Sequence, residues 1–301
     1  MTSGGSTRKS TVLVTILAFL AVYLVWGSTY LVIRIGVRDF SPSGLLGLRF
    51  LIAGVVNMGI WGLFHRRQRA TLGEMKTAAV AGVIMLVGGT GLLAYAEKTV
   101  NSSTAALIVA AAPFWFALGD YILGGKALRP RQIAGIAIGF AGVWILVWPS
   151  FGSQRGESTV WTLLLMLATV AWVSAGLYSK RRPMPKSIFL GAGVEMIAAG
   201  AFLMGLGAIL GEYTPASFLQ APSHTWAAVL YLALFGSCVA FTAYAWLLEH
   251  QPTHRVASYA YVNPVVAVLL GALFDGDPFS ISIVLALALI TLGVTLTMSR
   301  R

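Results

Sequence analysis

Apolar stretches of about 20 residues, the length a helix needs to cross a bilayer, recur along the whole chain with only short polar breaks between them. They fall near residues 12–33, 43–64, 77–97, 102–122, 131–148, 161–179, 187–210, 226–248, 254–274 and 278–298, with ends good to about ±3 residues. A backbone surrounded by lipid must satisfy its amides and carbonyls internally, so the expected fold is all-α, an integral membrane protein of ten transmembrane helices. Composition agrees. The 301 residues are 57% hydrophobic and 10% charged at a mean hydropathy of +0.81, more apolar surface than a soluble core of this size needs. No soluble domain fits in what remains between the spans.

A formal charge of +11 would suit nucleic acid, but the basic residues form short clusters between spans rather than one face or stripe, and nucleic acid is not expected as a partner. Arg8 and Lys9, then Arg66, Arg67, Arg69 and Lys76, then Lys126, Arg129 and Arg131, then Lys180, Arg181, Arg182 and Lys186, then Arg255, Arg300 and Arg301 all fall on one side of a ten-span topology. The opposite loops hold Arg34, Arg38, Lys98 and Arg155 beside the acids Asp39, Glu97, Glu157, Glu212, Asp275 and Asp277. The positive-inside rule then predicts a multi-pass inner-membrane protein with both termini cytoplasmic. The first apolar run, Thr11 to Ile33, is longer than a signal-peptide core and reads as a retained helix. Cys238, the single cysteine, lies in an apolar stretch and reads as a small packing residue.

Self-similarity divides the chain into two expected repeats, 12–148 and 161–298, of five helices each. Trp26 and Trp172, Ser28 and Ser174, Arg34 and Lys180, and Gly54 and Gly200 are all 146 positions apart. Ala94, Tyr95 and Ala96 recur as Ala243, Tyr244 and Ala245, and Pro113 and Gly142 match Pro264 and Gly293 at an offset of 151. Five is odd, so the second copy enters the membrane from the other side. That is an inverted repeat, the design of secondary transporters whose substrate site lies near the midplane where the repeats meet.

Four stretches carry a resemblance: Trp26-Gly-Ser-Thr-Tyr30 followed by Arg34, Leu48-Arg-Phe-Leu-Ile-Ala-Gly54, NSSTAALIVAAAP from Asn101 to Pro113, and GIAIGFAGV from Gly135 to Val143. With them the chain resembles the EamA family of the drug/metabolite transporter superfamily over essentially its whole length. The resemblance implies ten helices in two repeats and export of small metabolites or drugs, aromatic amino acids among them, by alternating access without a cofactor. It further implies that helices 1, 3, 4, 6, 8 and 9 build the cavity while helices 2 and 7 move. The second half departs from the pattern, with Glu195 in the place of Arg49 and no close copy of NSSTAAL before Pro264.

Trp61, Trp144, Trp148, Trp161, Trp226 and Trp246 fall near span ends, as an interfacial aromatic belt predicts. Trp26, Trp115 and Trp172 fall mid-span, where an indole N–H needs a partner or a cavity; helix packing is the alternative, and the pairing of Trp26 with Trp172 favours the cavity. Tyr30, Tyr95, Tyr244 and Tyr261 complete the aromatic candidates for substrate binding, with Tyr259 beside them. Pro113 and Pro264 each remove a mid-span backbone hydrogen bond and read as hinges. Asn263 serves either a ligand or the kinked backbone. Arg49 and Glu195 are repeat equivalents of opposite sign, and an ionisable side chain in hydrocarbon costs about 2.5–3.5 kcal/mol on insertion scales. The reading is two separate polar contacts acting as gates, against snorkelling or a structural hydrogen bond. Protons are the candidate coupling ion, through Glu195.

Other signals are weak. Gly119 to Lys126 has its lysine one place late for a phosphate-binding loop, with no Ser or Thr after it, which speaks against an ATP-driven pump. His250 and His254 are separated by Pro252 at a span end, so no metal site is expected. A membrane-embedded enzyme would need a nucleophile, metal cluster or paired carboxylates at one depth, and none is evident. A receptor or scaffold gains nothing from an inverted repeat. A sugar or nucleotide-sugar carrier of the same superfamily is the nearest rival and would place several basic residues in the cavity, where only Arg49 is deep. The expected partners are therefore a small-molecule substrate and the lipid bilayer, with the chain working as a monomer or homodimer.

Overall fold

The structure, a computed structural model, describes residues 4–124, 127–152, 156–251, 253–256, 258–277 and 279–298. Lys126, Arg155, Arg300 and Arg301 lie outside them, and the side chains of Arg8, Lys9, Glu157 and His254 are likewise outside the description. Among the described residues all regular structure is helical. The principal helices are α1 (Val12–Gly36), α2 (Pro42–His65), α3 (Leu72–Ala96), α4 (Ser102–Ile122), α5 (Pro130–Leu146), α6 (Thr159–Lys180), α7 (Ile188–Ile209), α8 (Ser223–Tyr244), α9 (Tyr259–Asp275) and α10 (Ile281–Met298). Eight of them are long and apolar enough to cross a membrane; α5 is the apolar part of a helix that runs from Pro130 to Gly152, and α9 is apolar but shorter. Each expected span thus has a helix, and α9 falls below full spanning length. Glycine in the left-handed region at Gly276 (φ 68°) ends α9 abruptly, because such a backbone cannot continue a helix.

Local chemistry starts the helices where the sequence turns from loop to apolar run. The Ser41 hydroxyl accepts from the Gly44 amide at 3.1 Å, with Pro42 in the first turn of α2. Thr71 and Glu74 form a reciprocal capping box at the start of α3, and the Asn101 side chain accepts from the Thr104 amide at 2.9 Å to cap α4. Several helices then widen into π-helical turns inside the span: Ala21–Val25 in α1, Val83–Gly91 in α3, Leu232–Val239 in α8 and Gly271–Asp275 in α9. The long stretches in α3 and α8 begin 149 positions apart, the offset that also relates Tyr95 to Tyr244. In α4 a turn at Ala110–Ala111 breaks the helix directly before Pro113.

The most extensive contacts join α2 to α7 and α5 to α10. Glycine makes both possible. A Cβ on Gly54 would lie 2.6 Å from Ile197, one on Gly200 2.8 Å from the Leu51 amide nitrogen, one on Gly47 2.6 Å from Met204 and one on Gly193 2.8 Å from Met58. The helices run antiparallel, and moving both members of the pair Gly54/Ile197 by 146 positions in opposite directions returns Gly200/Leu51, just as Gly47/Met204 returns Gly193/Met58. The α5–α10 contact maps onto itself in the same way at an offset of 151, with Gly142 on the Ala286 carbonyl and Gly293 on the Gly135 carbonyl. Close backbone approach of this kind supplies the van der Waals attraction that holds helices together where lipid removes the hydrophobic drive.

Gly200→Ala forces backbone apart at that crossing and is expected to destabilise the protein by about 1–3 kcal/mol. Gly59→Ala in α2, where an added Cβ meets nothing within 4 Å, is expected to be neutral or stabilising by about 0.5–1 kcal/mol. Thermal melts of the two variants in detergent check both; equal melting would contradict the packing just described.

Candidate functional site

Trp26, midway along α1, reaches the π-helical stretch of α8, where its indole N–H donates to the Gly236 carbonyl at 3.0 Å. Its ring centroid lies 5.2 Å from that of Tyr244 and 5.5 Å, edge-on, from that of Tyr259, and the two tyrosines are perpendicular at 5.7 Å. Ser237, the next residue of the same stretch, accepts from Nε of Arg49 on α2 at 3.0 Å. A Cβ on Gly236 would stand 3.2 Å from Thr29 and 3.4 Å from the Arg49 guanidinium, so the missing side chain is what lets α1, α2 and α8 converge. Ser28 shares a hydrogen bond of 2.7 Å with the Tyr231 hydroxyl. With its amide nitrogen turned toward carbonyl oxygens, Asn263 donates to Tyr23 and Tyr259 at 3.3 Å each and binds the Pro264 kink of α9 to the widened turn of α1. Of its two sequence readings, this geometry serves the backbone.

Arg49 is the anomaly in this cluster. It is only 7% exposed, its guanidinium lies 5.0 Å from the Phe50 ring, and Nη1 is buried with no hydrogen-bond partner. Among the described residues no carboxylate forms an ion pair with it. Glu195 lies apart, where α7 crosses α3 with its backbone against Gly82, and makes no hydrogen bond or ion pair among the described residues.

Trp172 stands against the corresponding stretch in the other half, by ring contact rather than a hydrogen bond. Its ring lies against Gly89, where a Cβ would come within 3.1 Å, and Gly89 belongs to the π-helical stretch of α3. Other expected residues are placed elsewhere. Trp115 meets Phe140 edge-on at 5.1 Å between α4 and α5; Tyr30 and Tyr261 pack at the margin of the main core; Tyr95 donates its hydroxyl to Glu212 at 2.6 Å near one end of the bundle. His250 stacks on Trp246 at 4.2 Å, and no group of three metal-ligating side chains occurs among the described residues.

The two ends of the bundle differ. At the end carrying the acidic loops, Asp39 accepts from the Thr225 hydroxyl at 2.5 Å and meets His224 at 2.8 Å, and Glu212 accepts from Ser43 at 2.5 Å. Asp277 accepts from the Ser103 amide at 3.0 Å and from the Ser102 and Ser103 hydroxyls, capping α4. Arg34 donates to the Glu97 carbonyl and pairs with Asp275 at 3.6 Å, and Arg38 binds the same aspartate. These bonds tie the α1–α2 loop to α8, α2 to the α7–α8 loop, the end of α1 and the loop after it to the end of α9, and α4 to the α9–α10 loop. At the basic end an open recess of about 760 Å³ lies between Arg66, Arg67 and Arg69 and an apolar floor of Met58, Met75 and Leu190. Sequence reasoning treats the acidic residues only as a charge count and misses Gly236, Ser237 and Glu212, which carry no distinguishing signal within their stretches.

The Thr225 hydroxyl above all, and then His224 and Arg38, hold the Asp39 carboxyl below its usual range, against the opposing effect of its partial burial. A depressed folded-state pKa stabilises above the unfolded value of 3.8 and loses that contribution as pH falls through the folded one. Asp39→Asn should therefore melt below the wild type at pH 6, with the gap closing below pH 3.8; a gap that stays constant with pH would contradict the assignment.

Residues 13–148 and 159–299 each match the EamA-like transporter family. The uncharacterized inner membrane transporter YedA of Escherichia coli is 37% identical over 281 residues, covering 93% of this chain and 89% of that one. A probable amino-acid metabolite efflux pump of Salmonella typhimurium is 27% identical over 269 residues, covering 85% of this chain and 87% of that one. A solved crystal structure shares the fold at a TM-score of 0.64 and 22% identity, over 94% of this chain and 95% of the other. Members of the matched family are transporters rather than enzymes. With two matches that together span nearly the whole sequence, this chain belongs to the EamA-like transporter family.

Proposed function

We propose that this transporter exports small organic metabolites or drugs, amino-acid-like and in part aromatic, across the inner membrane by alternating access between two inverted five-helix repeats. One observation carries the reading: the paired tryptophans Trp26 and Trp172 each lie on the π-helical stretch of the opposite half, at Gly236 and at Gly89. Wide turns within a spanning helix recur at functional positions, and non-regular backbone at membrane depth persists where it is buried or lines a cavity. The self-mapping contacts of α2 with α7 and of α5 with α10 support the inverted repeat, and the names of the relatives support an inner-membrane setting and an amino-acid-like cargo.

In this reading the basic end faces the cytoplasm with both termini. The bonds at the acidic end close the outer side, and the recess beside Arg66 is on the open, inner side. Trp26 and Tyr244 form one wall of the substrate path and Trp172 belongs to the opposite one, while Asn263 bonds the kinked backbone and Tyr30, Tyr95, Trp115 and Tyr261 engage other contacts. Pro113 and Pro264 are the hinges, Arg49 and Glu195 stand on either side of the site, and protons are the coupling ion to test. No cofactor takes part, and the working unit is a monomer or homodimer.

Proteoliposomes screened against amino acids, nucleobases, sugars and cationic drugs, with and without a proton gradient, identify the cargo. Trp26→Ala and Trp172→Ala are each expected to lower its flux about tenfold with expression near normal. Unchanged flux in both variants would remove the site from this position.

A further inference from the structure

We infer that Arg49 is the anchor for an anionic group of the transported solute, a carboxylate in the first instance, bound on the unpartnered Nη1 edge of its guanidinium. The inference rests on the carrier reading above and adds a substrate class to it. Arg34, Arg38 and Arg181 each meet a carboxylate in this structure. Arg49 is buried more deeply than any of them, yet its bonded neighbours are a neutral hydroxyl and a ring, and one of its nitrogens has no partner at all. A buried charge without a counter-charge is among the costliest features a fold can hold, and in a membrane interior it marks a place where something else supplies the opposite sign.

A purely structural role does not account for the charge. The bond to Ser237 needs one N–H donor, which a neutral amide side chain would also provide. What only arginine adds is a planar, permanently charged fork shaped for a carboxylate. Its surroundings fit the rest of such a solute. Gly236 presents bare backbone to the Nη2 side of the guanidinium, and its carbonyl holds Trp26, whose ring with Tyr244 and Tyr259 makes an aromatic wall next to it. The chemistry recognised is therefore a carboxylate joined to an apolar or aromatic body.

Counterflow in proteoliposomes tests this with amino acids each paired with its own carboxamide, alongside tetraphenylphosphonium as a cation, for the wild type, Arg49→Gln and Arg49→Lys. The wild type is expected to prefer the acid over its amide by about 30-fold or more. Arg49→Gln should lose that preference while still moving the amide, Arg49→Lys should keep part of it, and solute-free Arg49→Gln protein should melt no lower than the wild type. Acid preference that survives in Arg49→Gln, or a wild type that moves amides or the cation but no acid, overturns the anchor and leaves transport standing. Arg49→Gln protein that melts well below the wild type with its preference intact assigns the residue to structure and overturns the anchor too. A wild type that moves no solute of any arm removes the carrier reading itself.

Discussion

Backbone amides and carbonyls have no water to fall back on in hydrocarbon, so each departure from the α-helix inside a span must be answered by another part of the protein. In this transporter the departures and their answers coincide with its polar interior. The widened turn of α8 gives its Gly236 carbonyl to Trp26, the widened turn of α1 gives its Tyr23 carbonyl to Asn263, and the stretch in α3 is covered by the Trp172 ring. The aromatic and amide side chains that seemed suited to a ligand are also what makes the irregular backbone affordable.

Glycine then decides how closely the halves meet. Along α2 and α7, and again along α5 and α10, missing side chains let backbone rest on side chain or on backbone, and each set of contacts is its own image under the repeat offset. The α2–α7 crossing brings Arg49 against the α8 stretch. Polar side chains gather at the ends, where several acids hold the loops of one end together while the other keeps an open basic recess.

Much of the architecture was legible because lipid imposes a strict length and polarity on each span. The apolar runs located every principal helix, and the family resemblance pointed to the family now shown. The end of α9 at Asp275 was legible, but its late start at Tyr259 rather than near 254 was not, because the apolar run extends past it. Of the candidate site, Trp26, Tyr244 and Asn263 come together with Tyr259, whereas Trp115, Tyr95 and Tyr261 point to other contacts. Mid-span position says that an aromatic side chain needs a partner but not which helix provides it. Ser237 and Gly236 went unnoticed because a serine and a glycine in an apolar run carry no signal until the facing helix is known.

The central claim is that two halves of opposite orientation enclose the path, with the acidic loops outside and the basic loops inside. Labelling intact cells with a membrane-impermeant thiol reagent, on a Cys238→Ala background, measures this directly. Cysteine at Lys98 and at Gln220, in acidic-end loops of the first and second halves, should be labelled from outside, while cysteine at Arg67 and at Arg181 should react only after the membrane is opened. Labelling of Arg181→Cys from the same face as Lys98→Cys would contradict the account.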